Sequence, residues 1–444
     1  MPFDSEKECV MWEKARNVTI LVLIVGLIIR FVLMPISSSP YDIGVWTFIT
    51  NETFAGGTIY SAGWNVYPPI WGQLLAVTGF ISNAFDVSSF GDVFPTIYLG
   101  RELSLGYGFI SNIGYTFLIK VPGLIFDILA GWAAYMLVKR LTGDQKKAVI
   151  GFALWFLAPV VFISSAAFNM FDCIMMFFIM LSLLTFMDKR YFLTGILLAL
   201  AVYTKVFAIL IIPIMLAYVI SERDIEINER LKYILYAVVG FALISLVVYI
   251  PTIISGQFMD SLWFLTSREG AYSGFTFEPR ITNLFFFLPI IAIIYILTFI
   301  IMLLSKEERE KKFLWMIILS LSILFMFPFV AYTPTYGITM LPAILILYSL
   351  KGRIALIPWA LTMVFPIHGV IHYWLDMFYP MAAFTDLVGL SDIVEGFPID
   401  GGYLFVLYLM SSAGMAIFAI IVYYLIKRGE VNKWILMLKK SVRL

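Results

Sequence analysis

Stretches of about twenty consecutive apolar residues recur along this chain, and that is the length of helix needed to cross a bilayer. Composition decides between a membrane and a large soluble core. Of 444 residues, 61% are hydrophobic and 13% charged, against roughly 25% charged in soluble domains. We read the chain as an all-α polytopic membrane protein with about a dozen transmembrane helices. The spans are expected near 17–36, 117–138, 148–167, 172–187, 191–204, 206–220, 232–253, 283–304, 313–331, 337–350, 354–371 and 403–426. A net charge of +1 gives nucleic acid no electrostatic footing as a partner. Cys9 and Cys173 are too few for a disulfide framework or a metal cluster. The first apolar run follows Lys14 and Arg16 and has no small-residue cleavage site, so it is expected to be a retained helix.

One segment decides the topology. Residues 70–85 are apolar enough to pass for a span, and counting them as one would invert every later connection. Positive charge arbitrates, because cytoplasmic loops carry the excess of Lys and Arg. With 70–85 as an interfacial or re-entrant helix, 24 of the 30 Lys and Arg fall on the cytoplasmic side, together with both termini. The six others are Arg30, Arg101, Lys120, Lys205, Arg268 and Arg280. Residues 37–116 then form a large first extracytoplasmic loop with interfacial helices, and loops of that length usually serve a function. It holds an Asn-Glu-Thr sequon at Asn51, which is weak evidence in a single chain. No soluble domain or internal repeat interrupts 1–444, which is expected to be one transmembrane domain. The expected location is the cell membrane, or the endoplasmic reticulum membrane if the source is eukaryotic.

Several residues stand out against this background. Asp42 is the first acid after the first span, in Ser37-Ser-Ser-Pro-Tyr-Asp, and reads either as a helix N-cap after Pro40 or as a reactive carboxylate. Tyr67-Pro68-Pro69 fixes an extended chain before an apolar helix. Lys205 sits between two short apolar stretches, where a charge is costly unless it is partnered or functional.

Together these pieces resemble the GT-C superfamily of membrane glycosyltransferases, notably the dolichyl-phosphate-sugar-dependent glucosyltransferases and mannosyltransferases. In those proteins an acid just after the first helix precedes a Tyr-Pro-Pro segment; here the match is Asp42 with Tyr67, Pro68 and Pro69. The likeness continues through Lys120-Val-Pro-Gly-Leu-Ile-Phe-Asp127, Ala158-Pro159 and Asn169-Met-Phe-Asp172. It then runs from Arg190-Tyr191 to Gly195, through Thr204-Lys205, to Pro213. It departs in a late span, where such enzymes often carry His-Glu-Lys or Glu-Arg-Tyr. This chain has Tyr332-Thr-Pro-Thr-Tyr336 ahead of Pro342, with Tyr336 left at that place.

The resemblance implies an inverting transferase that moves a hexose from a polyprenyl (dolichyl) phosphate donor to a lipid-linked or protein-linked acceptor. The partners are then that donor, a glycolipid or glycoprotein acceptor and membrane lipids, with no cofactor. A sugar on a polyprenyl phosphate cannot leave the bilayer, so its site needs a carboxylate to take the acceptor's proton and cations to hold the departing phosphate. Asp42 fits the first role. Lys120, Lys205, Arg268 and Arg280 fit the second, or are surface pairs and snorkelling side chains. For Arg30 the choice is between orienting Asp42 and snorkelling, and Asp127 is expected to bond between helices.

Tyr67, Asp172 and Tyr336 are expected to meet sugar or acceptor, with Asp172 alternatively capping the fourth span. His368 and His372 lie four residues apart with Asp376 four beyond, on one helix face. They are assigned to sugar or acceptor binding rather than to a divalent ion, and the first loop has no Asp-x-Asp element, which argues for a metal-independent site. The alternative function is a transporter or flippase of lipid-linked sugars, which would be expected to show two related halves that this sequence lacks. The topology is checked by labelling. A cysteine placed in 86–100 should react with an impermeant reagent from outside, and one in 142–146 only after permeabilisation; the reverse pattern overturns the assignment.

Overall fold

The computed structural model describes residues 5–61, 65, 67–85, 87, 97–98, 101–102, 113–222, 224–262, 308–323 and 334–363, with a few isolated positions beyond them. Four helical runs in it are long and apolar enough to cross a membrane: Ala15–Ile36, Ile113–Thr142, Ile227–Ile254 and Tyr336–Leu361. A fifth is added if Gln145–Phe156 and Pro159–Ala167, bent by 45° at their junction, count as one. The described residues therefore do not reach the expected dozen. Segments 172–187, 191–204 and 206–220 are helices too short for that test, and the span expected at 337–350 falls with the first part of that expected at 354–371 in one 26-residue run; 364–371, and 324–331 of the span expected at 313–331, lie outside the described residues. The spans expected at 283–304 and 403–426 lie outside the described residues, apart from isolated positions.

Helix α1 (Ser5–Ile36) leads through Ser37–Ser39 into α2 (Pro40–Phe54), and α3 (Pro69–Ala84) packs beside α2. The only strands among the described residues are a two-residue ladder, Ile97–Tyr98 with Arg101–Glu102. Pro40 and Pro69 occupy the first positions of α2 and α3, where their missing N–H costs nothing. The Asn51 sequon lies inside α2, and the Thr53 hydroxyl is bonded to the carbonyls of Ile49 and Thr50, so it is not an open loop acceptor.

After the short helix α4 (Ile113–Leu118) comes α5 (Val121–Thr142), closed by Gly143 in the left-handed conformation that glycine adopts without strain. Helix α6 (Gln145–Phe156) is capped by Asp144, whose carboxylate accepts the amides of Lys146 and Lys147. Its span breaks at Ala158-Pro159, where the residue before proline is forced extended. The chain resumes as α7 (Pro159–Phe162) and a π-helical turn, Ile163–Ala167. Helices α8 (Asp172–Met187) and α9 (Tyr191–Thr204) form a hairpin; a 3-10 turn (Val206–Ile211) and α10 (Ile212–Ile220) precede the long α11 (Ile227–Ile254).

The two ends of this bundle differ. At one end Arg140 lies between Asp188 (3.2 Å) and Glu310 (3.6 Å), while Arg309 pairs with Glu222. Four of the connections assigned to one side by their positive charge are thus gathered on one face. Helices α5 and α8 run from that face to the opposite end, where Lys120 and Asp172 stand at their starts.

Small residues set a close helix crossing between α9 and α11. A Cβ on Gly195 of α9 would lie 1.9 Å from the carbonyl oxygen of Ala237, and one on Gly240 of α11 would lie 2.1 Å from that of Phe192. Backbones approach this closely in membranes only where side chains are absent. Gly195→Ala or Gly240→Ala must push the helices apart, at a cost of about 1–3 kcal/mol. The thermal midpoint in detergent should fall for each variant, and an unchanged midpoint refutes the crossing.

Candidate active site at the end of the bundle

The local fold of the Asp42 segment follows from Ser39 rather than from Asp42. Ser39 is the N-cap of α2: its hydroxyl accepts the Asp42 amide (3.4 Å) and donates to Asp42 Oδ2 (2.5 Å). Asp42 is the third helical residue, in the place where a capping box puts its acid. The N-cap reading of Asp42 is therefore corrected, and its carboxylate is left facing the interior, half-buried. Burial, the largest influence, pushes this carboxyl up to about 6; the Ser39 hydrogen bond and then the Lys205 charge oppose the rise, and Asp172 adds to it.

Lys205 is the extended residue that breaks the chain between α9 and the following 3-10 turn. Its ammonium donates to Asp172 Oδ1 at 2.6 Å in a pair that is almost wholly buried. The same ammonium lies 4.7 Å from the centre of the Tyr336 ring, 4.8 Å from Phe171 and 6.0 Å from Tyr67, distances at which aromatic faces attract a cation. Asp172 is the first residue of α8 and makes no capping bond, so its alternative reading as a cap is also corrected. Tyr67, Asp172, Lys205 and Tyr336, separated by up to 269 positions in the chain, thus meet in one site, and Asp42 lies close enough to feel the charges of Lys205 and Asp172.

Sequence reasoning missed the aromatic wall of this site. Trp46, one helical turn beyond Asp42, meets Trp71 (5.6 Å between centres), Tyr67 (5.6 Å) and Phe171 (5.9 Å), while Trp71 stacks on Phe171 at 4.8 Å and 11°. The four-residue interval from Asp42 to Trp46 was the available signal, since it puts both on one helix face. Buried polar atoms without partners occur on two of these rings and elsewhere in the same segments. Trp46 Nε1, Trp71 Nε1, Asn65 Nδ2, Asn169 Nδ2, Ser38 Oγ and Asp172 Oδ2 have no hydrogen-bond partner among the described residues. Buried groups of this kind are uncommon and call for a water or a ligand.

The other cations are placed differently. Arg30 is fully buried and neither orients Asp42 nor snorkels. Its Nε donates to Asp127 Oδ2 at 2.7 Å, its Nη1 to the carbonyls of Gly26 and Phe156, and its guanidinium lies over the Phe156 ring. Asp127 also accepts from Ser165 and Trp155, the helix-to-helix bonding expected of it. Lys120 donates to the carbonyls of Met34 (2.9 Å), Ser37, Ala166 (2.9 Å) and Ala167 (3.2 Å). Three ammonium protons facing four carbonyls leave none for the phosphate expected there. Arg268, Arg280, His368 and His372 lie outside the described residues. Among the described residues no group of three or more His, Cys, Asp or Glu could hold a metal ion.

Comparison with known proteins adds one finding. No curated protein matches this chain. Residues 113–250, just under a third of it, match the family described as dolichyl-phosphate-mannose-protein mannosyltransferase. The matched stretch holds Lys120, Asp127, Asp172 and Lys205. It supports a membrane protein of the GT-C glycosyltransferase superfamily, of the dolichyl-phosphate-mannose-dependent kind in general terms.

Proposed function

We propose that this protein is an inverting glycosyltransferase that moves a hexose, mannose foremost, from a polyprenyl phosphate to a lipid-linked or protein-linked acceptor on the extracytoplasmic face. The observation that carries this reading is the buried Lys205–Asp172 pair among the Tyr67, Phe171 and Tyr336 rings, with the half-buried Asp42 carboxylate close enough to feel both charges. The family match supports the donor class, and the segregation of positive connections to the other end supports the side.

In this reaction the acceptor hydroxyl attacks the anomeric carbon from the face opposite the phosphate, and its proton passes to Asp42. The bond from that carbon to the phosphate oxygen breaks, and polyprenyl phosphate leaves with the electron pair. A single displacement inverts the anomeric centre. Lys205 stabilises the charge that grows on the leaving phosphate, in a site where water does not weaken it. Its bond to Asp172 Oδ1 uses one of three ammonium protons and can stay in place, while the unpartnered Asp172 Oδ2, with the unpartnered donors of Trp46, Trp71 and Asn169, suits sugar hydroxyls. Tyr67 and Phe171 supply ring faces beside the same cation.

A base is active only when deprotonated. Turnover should therefore rise with pH through about 6 as Asp42 loses its proton, and this acid limb should vanish from the residual rate of Asp42→Asn. The same variant keeps the shape of the side chain and should lose at least ~10²-fold in kcat with donor binding intact. Half the parent rate in a folded Asp42→Asn protein ends the assignment, and transport of a lipid-linked sugar without transfer would favour the flippase reading. Lys205→Ala should weaken binding of polyprenyl phosphate, with only partial recovery in Lys205→Arg because a planar guanidinium meets phosphate differently. Binding as tight as the parent's in Lys205→Ala removes this lysine from the phosphate site.

A further inference from the structure

A lysine whose residue is 1% exposed and whose ammonium faces only backbone carbonyls is an unusual use of charge inside a membrane protein. Lys120 has this arrangement, and the identity of the four carbonyls explains it. Met34 is in the last turn of α1, and Ser37 follows its end. The Ser37 amide and hydroxyl both go to the Leu33 carbonyl, at 3.1 and 2.5 Å, which leaves the Met34 and Ser37 carbonyls to the lysine. Ala166 and Ala167 close the π-helical turn of the bent span. Two helix ends therefore point their partial negative charge at one ammonium, and together they replace a carboxylate counter-ion.

What this clamp holds is the approach to Asp42. From Ser37 the chain passes two residues to Ser39, the cap of α2. Pro40 fixes the first helical residue, the Ile43 amide returns to the Ser39 carbonyl at 2.9 Å, and the Ser39 hydroxyl holds Asp42 Oδ2. No freely turning segment separates the clamped carbonyl from the carboxylate. The lysine's own backbone is also fixed, its amide bonded to Phe117 and its carbonyl to the amide of Leu124.

We propose that Lys120 is a positioning residue for Asp42: its ammonium ties the turn between α1 and α2 to the break in the bent span, and so sets the depth of the carboxylate. The role assigned to Asp42 rests on the glycosyltransferase reading above; the clamp does not. Lys120→Met keeps the apolar stem and removes the ammonium. In that variant kcat should fall at least tenfold with the KM for polyprenyl-phosphate mannose within twofold of the parent, and Lys120→Gln, with two donors, should lie between. In an Asp42→Asn background Lys120→Met should cost nothing further, because the lysine acts through that carboxylate. Amides of residues 41–46 should exchange with solvent at least tenfold faster in Lys120→Met, while those of 174–186 are unchanged.

A raised KM with kcat preserved would make Lys120 a phosphate ligand and overturn the proposal, as would additive losses in the double variant. Should Lys120→Met not fold, the same readouts on Lys120→Gln decide. If the parent transfers no sugar from any polyprenyl phosphate, the functional reading fails by itself. Amide exchange then still tests the clamp, and unchanged exchange in the variant refutes it.

Discussion

The contact between Lys205 and Asp172 organises the candidate site at one end of the bundle. An ammonium in an apolar interior is tolerated only beside groups that neutralise it, and breaking such a pair strands the remaining charge. Bringing these two residues to 2.6 Å requires the start of α8 to lie beside the break after α9. That requirement accounts for the short helices around Lys205, since a continuous span through this region would carry the cation past its partner. The rings of Phe171 and Tyr336 then fill the remaining sides of the ammonium.

Three cations among the described residues are buried, and each is neutralised in a different way. Arg30 meets the carboxylate of Asp127 within a network that includes Ser165 and Trp155, so it joins α1, α5, α6 and the bent span. Lys120 meets carbonyls alone, and Lys205 meets Asp172 among rings. The guanidinium, with its fixed fork of donors, takes the site that needs several bonds in fixed directions, while the compact ammoniums take the convergent ones. The cost of burying these charges thus also fixes the relative positions of the elements that meet them.

Much of the site was legible from sequence because charge inside apolar runs is conspicuous. Lys205 stood out for that reason, Asp42 as the first acid after the first span, Asp172 by its place at a hairpin end in the resemblance, and the Tyr67-Pro68-Pro69 segment for its rigidity. The structure brings all of them together with Tyr336. Trp46, Trp71 and Phe171 were hidden because aromatic residues make up 17% of the chain and carry no contrast of their own. Lys120 read as a phosphate ligand or a snorkelling side chain, because its partners are backbone atoms, which no residue letter records. Likewise Ser39 capping α2 was concealed by the more conspicuous acid three residues on. Span counting worked for long uninterrupted runs such as Ile227–Ile254. It separated two stretches at Gly352, where the structure keeps one helical run with a 3-10 turn in it.

Two carboxylates and one ammonium cannot all be treated alike, and their geometry divides the labour. Asp172 takes Lys205 directly, whereas Asp42 keeps only the Ser39 hydroxyl and a more distant share of the same positive charge. A carboxyl that is buried but incompletely compensated is pushed upward, here to about 6, which places it close to neutrality. That is where a general base combines readiness to accept a proton with a useful fraction in the ionised state. Had Lys205 paired with Asp42 instead, the base would be held ionised by a direct ion pair and would lose basicity. Under the proposed role of Asp42, the pairing of lysine with the other acid leaves this carboxylate free to take a proton, and a site built around one cation then has a use for two carboxylates.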